Sequence, residues 1–471
     1  MIFASLLFLF LFLPLNIILY FTLPSIKAKN AVLITFSLIF YAWGEPVWVL
    51  LLILTAYLDH RNSVIIENNR GTPKAKAALI RSIVTDIGIF FIFKYSAFFI
   101  TNVNLIPFIK LPVPNFLLPI GISFYTFQTL TYVIDVYRGT TKAQPKFSKY
   151  ILYLSLYFQL VAGPIVRYTD VENEIEHRKL SISNFSHGIY RFICGLGKKV
   201  IIANAAGVFV DKYMLSQNFE GLSVLGAWFG IIMFTIQLYF DFSGYSDMAF
   251  GLGKMFGFNF PENFNYPYIS KSVSEFWRRW HITLGSFFRD YVYIPLGGNR
   301  KNVFRNLIIV WFLTGFWHGA NWNFIIWGLY NGLFICLEKY FKKFFNKIPN
   351  ALQHVYLLIV VNIGFVFFKF SNLTGAFKYI GVMFGINSSG FTSFDTNADI
   401  LNNIYWIILA LVLCMPIMKI IENLYRRSNY GYTAISTATN ILRILLLICI
   451  FIFSAAHLAG NSFNPFLYNQ F

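Results

Sequence analysis

The chain has 471 residues, of which 57% are hydrophobic and only 12% charged, and its mean hydropathy is +0.59. This composition excludes a string of soluble domains and indicates an all-α polytopic membrane protein, because apolar runs near the roughly 20 residues needed to cross a bilayer recur throughout. The net charge of +18 does not indicate nucleic-acid binding, since the basic residues cluster in short loops between apolar runs.

The apolar runs predict about ten to twelve transmembrane helices, with interfacial and re-entrant segments, in a single domain that covers residues 1–471. The runs 31–44 and 46–59 predict either a helical hairpin or one kinked span. The run 150–166 ends in Gly163-Pro164 and predicts a re-entrant segment, because irregular backbone at membrane depth must be covered by protein or water. The candidate spans are 2–23, 31–44, 46–59, 79–100, 116–137, 149–166, 186–210, 222–250, 303–317, 320–338, 352–370, 402–421 and 435–458.

Loop charges predict the orientation of these spans. Basic residues concentrate in loops that the positive-inside rule places in the cytoplasm. By contrast, the segment 385–400 has no basic residue and two aspartates, so we expect it outside. From the cytoplasmic loop that contains Arg426 and Arg427, one span, 435–458, leads to the C-terminus, which is therefore predicted on the exterior side. The loop residues are Arg61, Arg70, Lys74, Lys76, Arg81, Arg138, Lys142, Lys146, Lys149, Lys339, Lys342, Lys343, Lys347, Lys419, Arg426 and Arg427.

A polar island lies in residues 239–264, where Asp241 and Asp247 interrupt an apolar run. A carboxylate at membrane depth must be paired, neutral or surrounded by water. Either aspartate could orient a histidine, but we predict that both form structural pairs inside the helix bundle.

The stretch 274–300 predicts an amphipathic helix in the membrane interface. Ser272 and Glu275 form a capping-box pattern, so the helix should begin near Ser274, and aromatic residues recur at helical spacing as far as Tyr291. His281 falls on the apolar side, where a structural and a chemical role are equally open. Three arginines lie largely away from that side and fit either snorkelling toward headgroups or a dock for phosphates. They are Arg278, Arg279 and Arg289.

His318 lies thirteen residues beyond Arg305, which is about 20 Å along a helix and near or past the middle of the membrane. Trp311, Thr314 and Gly315 share its face, and we expect the two small residues to leave room beside the imidazole. A histidine satisfied by a neighbouring helix is the alternative. A general base in a channel is favoured, because imidazole titrates near neutral pH.

Four segments resemble the membrane-bound O-acyltransferase family: YFDFSGYSDMAFGLG (239–253), FNYPY (264–268), SEFWRRWHITLGSFFRDYVYIPLGGNR (274–300) and LTGFWHGANWNFIIWGLYNG (313–332). The similarity is to a bacterial branch that contains alginate O-acetyltransferases, peptidoglycan O-acetyltransferases and teichoic-acid D-alanyl transferases. With the layout of spans it covers most of the chain, least clearly 339–435.

The resemblance implies tilted helices around a central funnel in a thinned membrane, with the acyl donor entering from the cytoplasm and the acceptor approaching from outside. It implies that His318 is the catalytic histidine and that His281 is the second family histidine, on the cytoplasmic approach. The implied donor is acetyl-CoA, with no metal. Its phosphates would suit the three arginines of 274–300, an assignment inferred from charge.

The C-terminal residues 466–471 fit the pattern F-x-Y-x-x-F, with Tyr468 at its centre. In this branch such a tyrosine resembles a transient acyl acceptor, and in D-alanylating systems it lies on a separate peptide. Its presence here favours an acetylating member, since a phenol is a workable nucleophile once a base takes its proton. The alternative is an aromatic interface anchor.

The resemblance implies a multi-pass protein of the bacterial cytoplasmic membrane that hands acetyl to an exported serine-type O-acetyltransferase acting on a polysaccharide. The composition is rich in Ile, Phe, Asn and Lys, which indicates an AT-rich genome. This favours peptidoglycan as the polysaccharide, with an alginate-like polymer next. Two other functions stay open: direct O-acylation of a lipid or protein, and proton-coupled transport through the histidines. Visible broken-helix repeats, typical of many transporters, are missing from the sequence.

Overall fold

The computed structural model describes residues 1–161, 163–215, 219, 221–417, 432–460, 466 and 467. Throughout these residues the regular structure is helical and without strands, which confirms the all-α prediction. The α-helices are α1 (Leu13–Thr22), α2 (Ile26–Gly44), α3 (Trp48–Asn68), α4 (Pro73–Val103), α5 (Ile122–Arg138), α6 (Phe147–Ser155), α7 (Tyr157–Leu160), α8 (Tyr168–His177), α9 (Ile182–Gly197), α10 (Asn204–Met214), α11 (Val224–Met255), α12 (Val273–Arg279), α13 (Ile282–Phe288), α14 (Val303–His318), α15 (Trp322–Tyr340), α16 (Lys342–Phe345), α17 (Asn350–Lys369), α18 (Leu373–Met383), α19 (Phe394–Asn402), α20 (Ile404–Leu413) and α21 (Tyr432–Gly460).

Within the described part of the chain, six helices are long and apolar enough to cross a membrane. The pair α19 and α20, bent by 65°, adds a seventh span if it crosses as one unit, and two shorter apolar helices cover Phe8–Thr22 and Val303–His318. The protein is therefore a multi-pass membrane protein. The count of ten to twelve spans stays a prediction. The six are α3, α4, Ile182–Met214, α11, α17 and Asn440–Gly460.

Two compact units contain the described helices. The first comprises Met1–Phe192, Tyr245–Glu262 and Leu458–Phe471, and the second comprises Ile193–Gly244 and Asn263–His457. That residues 1–471 form a single domain in the membrane stays a prediction.

In the first unit, the segment 31–59 forms two helices separated by Glu45–Val47. Helix α3 by itself is long and apolar enough to cross the membrane, so the two helices together are too long for one kinked span. This favours the hairpin. The run 150–166 is interrupted at Leu156, between α6 and α7, and its side chains are buried on both sides of the break. Its re-entrant character stays a prediction.

Ion pairs confirm the prediction that the two aspartates of the polar island are paired within the helix bundle. In the second unit, Lys199 Nζ lies 2.5 Å from Asp241 Oδ1, and both side chains are at most 5% exposed. In the first unit, Arg191 Nε donates to Asp247 Oδ1 over 2.7 Å and also binds Glu262. Each carboxylate therefore has a cation that offsets the cost of its burial.

In the second unit, α14 and α15 form a hairpin whose backbones touch at glycines. A Cβ on Gly315 would lie 2.3 Å from the carbonyl oxygen of Phe324, and one on Gly328 would lie 2.3 Å from that of Trp311. Such close approach through small residues is typical of packed membrane helices. The expectation that Thr314 and Gly315 leave room beside His318 is therefore wrong for Gly315, because α15 fills that space.

Candidate active site

One face of α15 organises the site in the second unit. Asn323, Trp327, Asn331 and Glu338 recur at helical spacing along it, and all four are at least nine-tenths buried. Trp327 packs its indole on the His318 imidazole, with ring centroids 4.9 Å apart. Asn331 accepts a hydrogen bond from Trp277 Nε1 over 3.0 Å. The face thus touches both segments that carry the histidines.

Glu338 holds the start of α12. Its carboxylate accepts from the backbone N–H groups of Val273 and Ser274 over 2.6 and 3.0 Å, and from Ser274 Oγ over 2.7 Å. Ser272 Oγ accepts from the Glu275 N–H, which confirms the predicted helix start. A carboxylate at a helix N-terminus satisfies free N–H groups and opposes the helix dipole. Glu338 therefore positions the helix that leads to His281.

The prediction of one continuous helix from 274 to 291 is wrong. Helix α12 ends at Arg279, α13 begins at Ile282, and His281 between them has φ +46° in the left-handed region. The break is held by the strap 263–265, since Asn265 N donates to Arg279 O and Ile282 N donates to Asn263 O. A non-glycine residue in this conformation persists only where its surroundings fix it.

His281 is 2% exposed, and its tautomer is set by Asn263. Its Nδ1 lies 3.1 Å from an Asn263 side-chain atom that also accepts from Thr283 N and Oγ1, so that atom is the amide oxygen. Nδ1 therefore carries the proton, and the Nε2 lone pair is the basic position. Burial lowers the pKa of His281 to about 3, so its resting form is the neutral imidazole.

His318 is the last residue of α14 and is 6% exposed. Its ring is packed among Trp317, Trp327 and Phe368 at centroid distances of 4.9, 4.9 and 5.2 Å. The Trp317 indole also lies 6.1 Å from the His281 ring. The structure thus brings both predicted histidines to the same indole, although they are 37 residues apart in the sequence.

Two buried donors on α15, one of them in the indole that contacts His318, were missed by the sequence analysis. Among the described residues, neither Trp327 Nε1 nor Asn323 Nδ2 has an acceptor, and both side chains are 1% exposed. They lie one turn apart on the same face of α15. A buried N–H without a partner costs about 1–3 kcal/mol, so both positions suit the oxygen of an ordered water or of a ligand. The i, i+4 spacing of Asn323 and Trp327 was the available signal.

The three arginines differ in their surroundings. Arg279 pairs with Glu275 over 2.9 Å, and Arg289 pairs with Asp290 over 2.6 Å, whereas Arg278 is exposed. Two of the three therefore already bind a carboxylate, which supports the interfacial role at least as well as a phosphate dock. Their assignment to phosphates stays a prediction.

Tyr468, the predicted acyl acceptor, lies outside the described residues. Of the tail 466–471, the structure describes Phe466 and Leu467, which are both buried. Phe466 packs edge-on against Tyr245 in the first unit, with ring centroids 4.8 Å apart. The tail pattern is therefore anchored at its first aromatic residue.

The described site thus combines a buried histidine with a buried indole N–H on the ring packed against it, and these group types are ones that acid–base and oxyanion chemistry use. Comparison with known proteins gives the family. The chain matches the membrane-bound O-acyltransferase family over residues 140–385, more than half of its length, and belongs to it. The protein is accordingly an O-acyltransferase.

Several relatives cover much or all of the chain. A probable alginate O-acetylase from Azotobacter vinelandii is 37% identical and covers 100% of both sequences. A peptidoglycan O-acetyltransferase from Helicobacter pylori is 35% identical over 82% of this chain and 80% of its own. A teichoic acid D-alanyltransferase from Bacillus subtilis is 30% identical over 57% of this chain and 73% of its own.

Proposed function

We propose that this protein takes an acetyl group from cytoplasmic acetyl-CoA and passes it across the cytoplasmic membrane to an exported serine-type transferase. The final acceptor is a hydroxyl of a cell-surface polysaccharide. The sequence favoured peptidoglycan, and the full-length relative named for alginate supports an alginate-like polymer equally. The observation that carries the proposal is the placement of buried His318 against Trp327, whose indole N–H has no acceptor among the described residues.

In the proposed first step, the His318 imidazole takes the phenol proton of Tyr468, and the phenolate attacks the carbonyl carbon of the acetyl thioester. The tetrahedral intermediate collapses, the C–S bond breaks, and the coenzyme A thiolate receives the proton from the imidazolium. The acetyl-tyrosine ester then transfers its acetyl group to the serine hydroxyl of the exported partner, which regenerates the phenol. Proton and acetyl group balance in both steps.

The negative charge on the carbonyl oxygen needs donors that are already in place. Trp327 Nε1 is the described donor that fits best, because the indole is buried against His318 and its N–H has no acceptor among the described residues, and Asn323 Nδ2 is a second buried donor one turn away on α15. A preorganised N–H in a dry site stabilises the oxyanion without reorganising solvent.

Trp327→Phe tests this assignment, because it removes the N–H and keeps an aromatic ring. We expect the kcat for acetyl transfer to fall by about 10²-fold with little change in the KM for acetyl-CoA. Trp311→Phe is the matched control, since Trp311 packs in the same aromatic cluster, 6.3 Å from Trp327. Equal loss in both variants would assign the effect to packing.

Tyr468→Phe tests the relay. Purified protein incubated with radiolabelled acetyl-CoA should release coenzyme A and acquire label on its C-terminal peptide, as mass spectrometry detects. The variant should lose that label, whereas Tyr405→Phe, at an 87% exposed tyrosine, should keep it. Wild-type transfer by Tyr468→Phe would remove the tyrosine from the pathway. Label in a lipid or another protein would favour direct acylation, and ion flux without coenzyme A release would favour a transporter.

A further inference from the structure

A basic cleft opens at one end of the first unit, and neither His281 nor His318 is among its lining residues. It has a volume of about 340 Å³ and is formed by the first turns of α2 and α6 with the end of α8. Polar lining comes from Lys27, Lys146, Lys149, Ser148 and Asn30, together with Glu176. Apolar lining comes from Ile26, Ala31, Ile34 and Ile175.

The cleft contains three lysines, of which Lys27 and Lys146 set its net charge. Lys149 forms an ion pair with Glu176. The hydrogen bond from Lys149 lowers the pKa of Glu176, so this carboxylate stays ionised and neutralises its partner. Lys27 and Lys146 are exposed and supply the net positive charge of the cleft.

Backbone donors add to this charge. Helix α6, of nine residues, begins beside the cleft at Phe147, and no side chain caps its first turn. The free N–H groups and the dipole of a helix N-terminus favour an anion with several oxygens. Beneath them, Asn30 is fixed by Ile175 O and by Arg178, so the floor of the cleft is rigid.

An apolar strip leads away from the cleft along α2. Lys27, Ala31 and Ile34 lie on one helix face, which continues through the half-buried Leu38. The cleft therefore joins a cationic end to an outward apolar surface as long as several helical turns. A soluble anion uses only the first of these features, whereas an amphiphile uses both.

We propose that this cleft binds the phosphate headgroup of an anionic membrane phospholipid, with an acyl chain along α2. Basic pockets between helices at the cytoplasmic side select such headgroups. This end of the first unit also carries the basic loop residues Arg70 and Lys142, as the positive-inside rule requires of a cytoplasmic end.

The test is native mass spectrometry of the full-length protein in detergent, titrated with phosphatidylglycerol or phosphatidylcholine. Lys27→Gln with Lys146→Gln should weaken phosphatidylglycerol binding by about tenfold. Ala31→Trp, which fills the cleft without changing its charge, should weaken it similarly. The matched control is Lys74→Gln with Lys76→Gln at the exposed start of α4, which should bind as the wild type does. A thermal melt of each variant establishes that it is folded.

Two outcomes would overturn the proposal. Equal loss in both lysine pairs would assign the binding to diffuse surface charge. Displacement of the lipid by millimolar coenzyme A or inorganic phosphate would make a soluble phosphate the ligand of the cleft.

Discussion

Replacement of His318 by alanine is expected to lower acetyl transfer by about 10³-fold, because it removes the proposed general base. The imidazole is 6% exposed and packed between Trp317 and Trp327, so water has little access to replace it as a proton acceptor. The measurement is coenzyme A release from acetyl-CoA by purified protein, together with O-acetyl content of the cell-surface polysaccharide in cells that express the variant. Membrane abundance, followed by immunoblot, should match the wild type.

The matched control for this variant is His354→Ala. His354 also lies in the second unit and makes a hydrogen bond, from Nδ1 to Ser270 O over 2.8 Å, but it has no ring contact with the α15 face described above. We expect it to retain transfer within a few-fold of the wild type. Near-normal acetylation by His318→Ala would contradict the assignment of the base, whatever the outcome for Trp327 or Tyr468.

His281 gives a second way to separate chemistry from structure. Its Nδ1 proton is held by Asn263, and its backbone occupies the left-handed region at the break between α12 and α13. We therefore expect His281 to fix the local backbone geometry. His281→Ala should lose less activity than His318→Ala if His281 has only this positioning role.

The helices of this protein could be predicted from the sequence because they depend on local apolar runs. The ends of helices α4, α14 and α17 were predicted to within about two turns. The start of α12 followed from Ser272 and Glu275, which are three residues apart. It was also predictable that Asp241 and Asp247 would each have a partner, since an isolated carboxylate is too costly at membrane depth. These inferences need only the residue and its immediate neighbours.

The break at His281 could not be predicted in this way. It depends on the strap 263–265, which bonds backbone atoms of residues 279 and 282, and on the Asn263 amide. The local aromatic spacing indicates a continuous helix, and tertiary contacts override it. Likewise, Glu338 acts on Val273 from 65 residues away, so nothing in the motif around His281 identifies it.

The surroundings of Gly315 also could not be predicted from the sequence. A small residue next to a buried histidine is equally consistent with space for a substrate and with close helix packing. The decision depends on where α15 lies, and its carbonyl at Phe324 occupies the position that a side chain at 315 would need. The space for the reacting groups is thus bounded by α15 itself, whose Asn323 and Trp327 contribute the free donors.

The second large effect is expected for the buried ion pair of the second unit. Lys199→Met should lower the free energy of unfolding by about 3–5 kcal/mol, because it removes the Lys199 member of a buried ion pair and keeps the buried Asp241 carboxylate. Equilibrium unfolding in mixed micelles is the measurement. Lys212→Met is the matched control: Lys212 pairs with Asp399 over 2.6 Å, but its side chain is 48% exposed, so the loss should stay below about 1 kcal/mol.

The double variant Lys199→Met with Asp241→Leu decides what this pair is for. Removing both charges leaves no buried carboxylate that has lost its ion pair with Lys199, so stability should return to within about 1–2 kcal/mol of the wild type. Asp241 is followed by Phe242, whose ring packs 4.7 Å from that of His281, so a correctly folded double variant should also keep the histidine in place and transfer acetyl. A double variant that is stable yet inactive would contradict the structural role, because the charge of Lys199 or Asp241 would then be needed by the reaction itself.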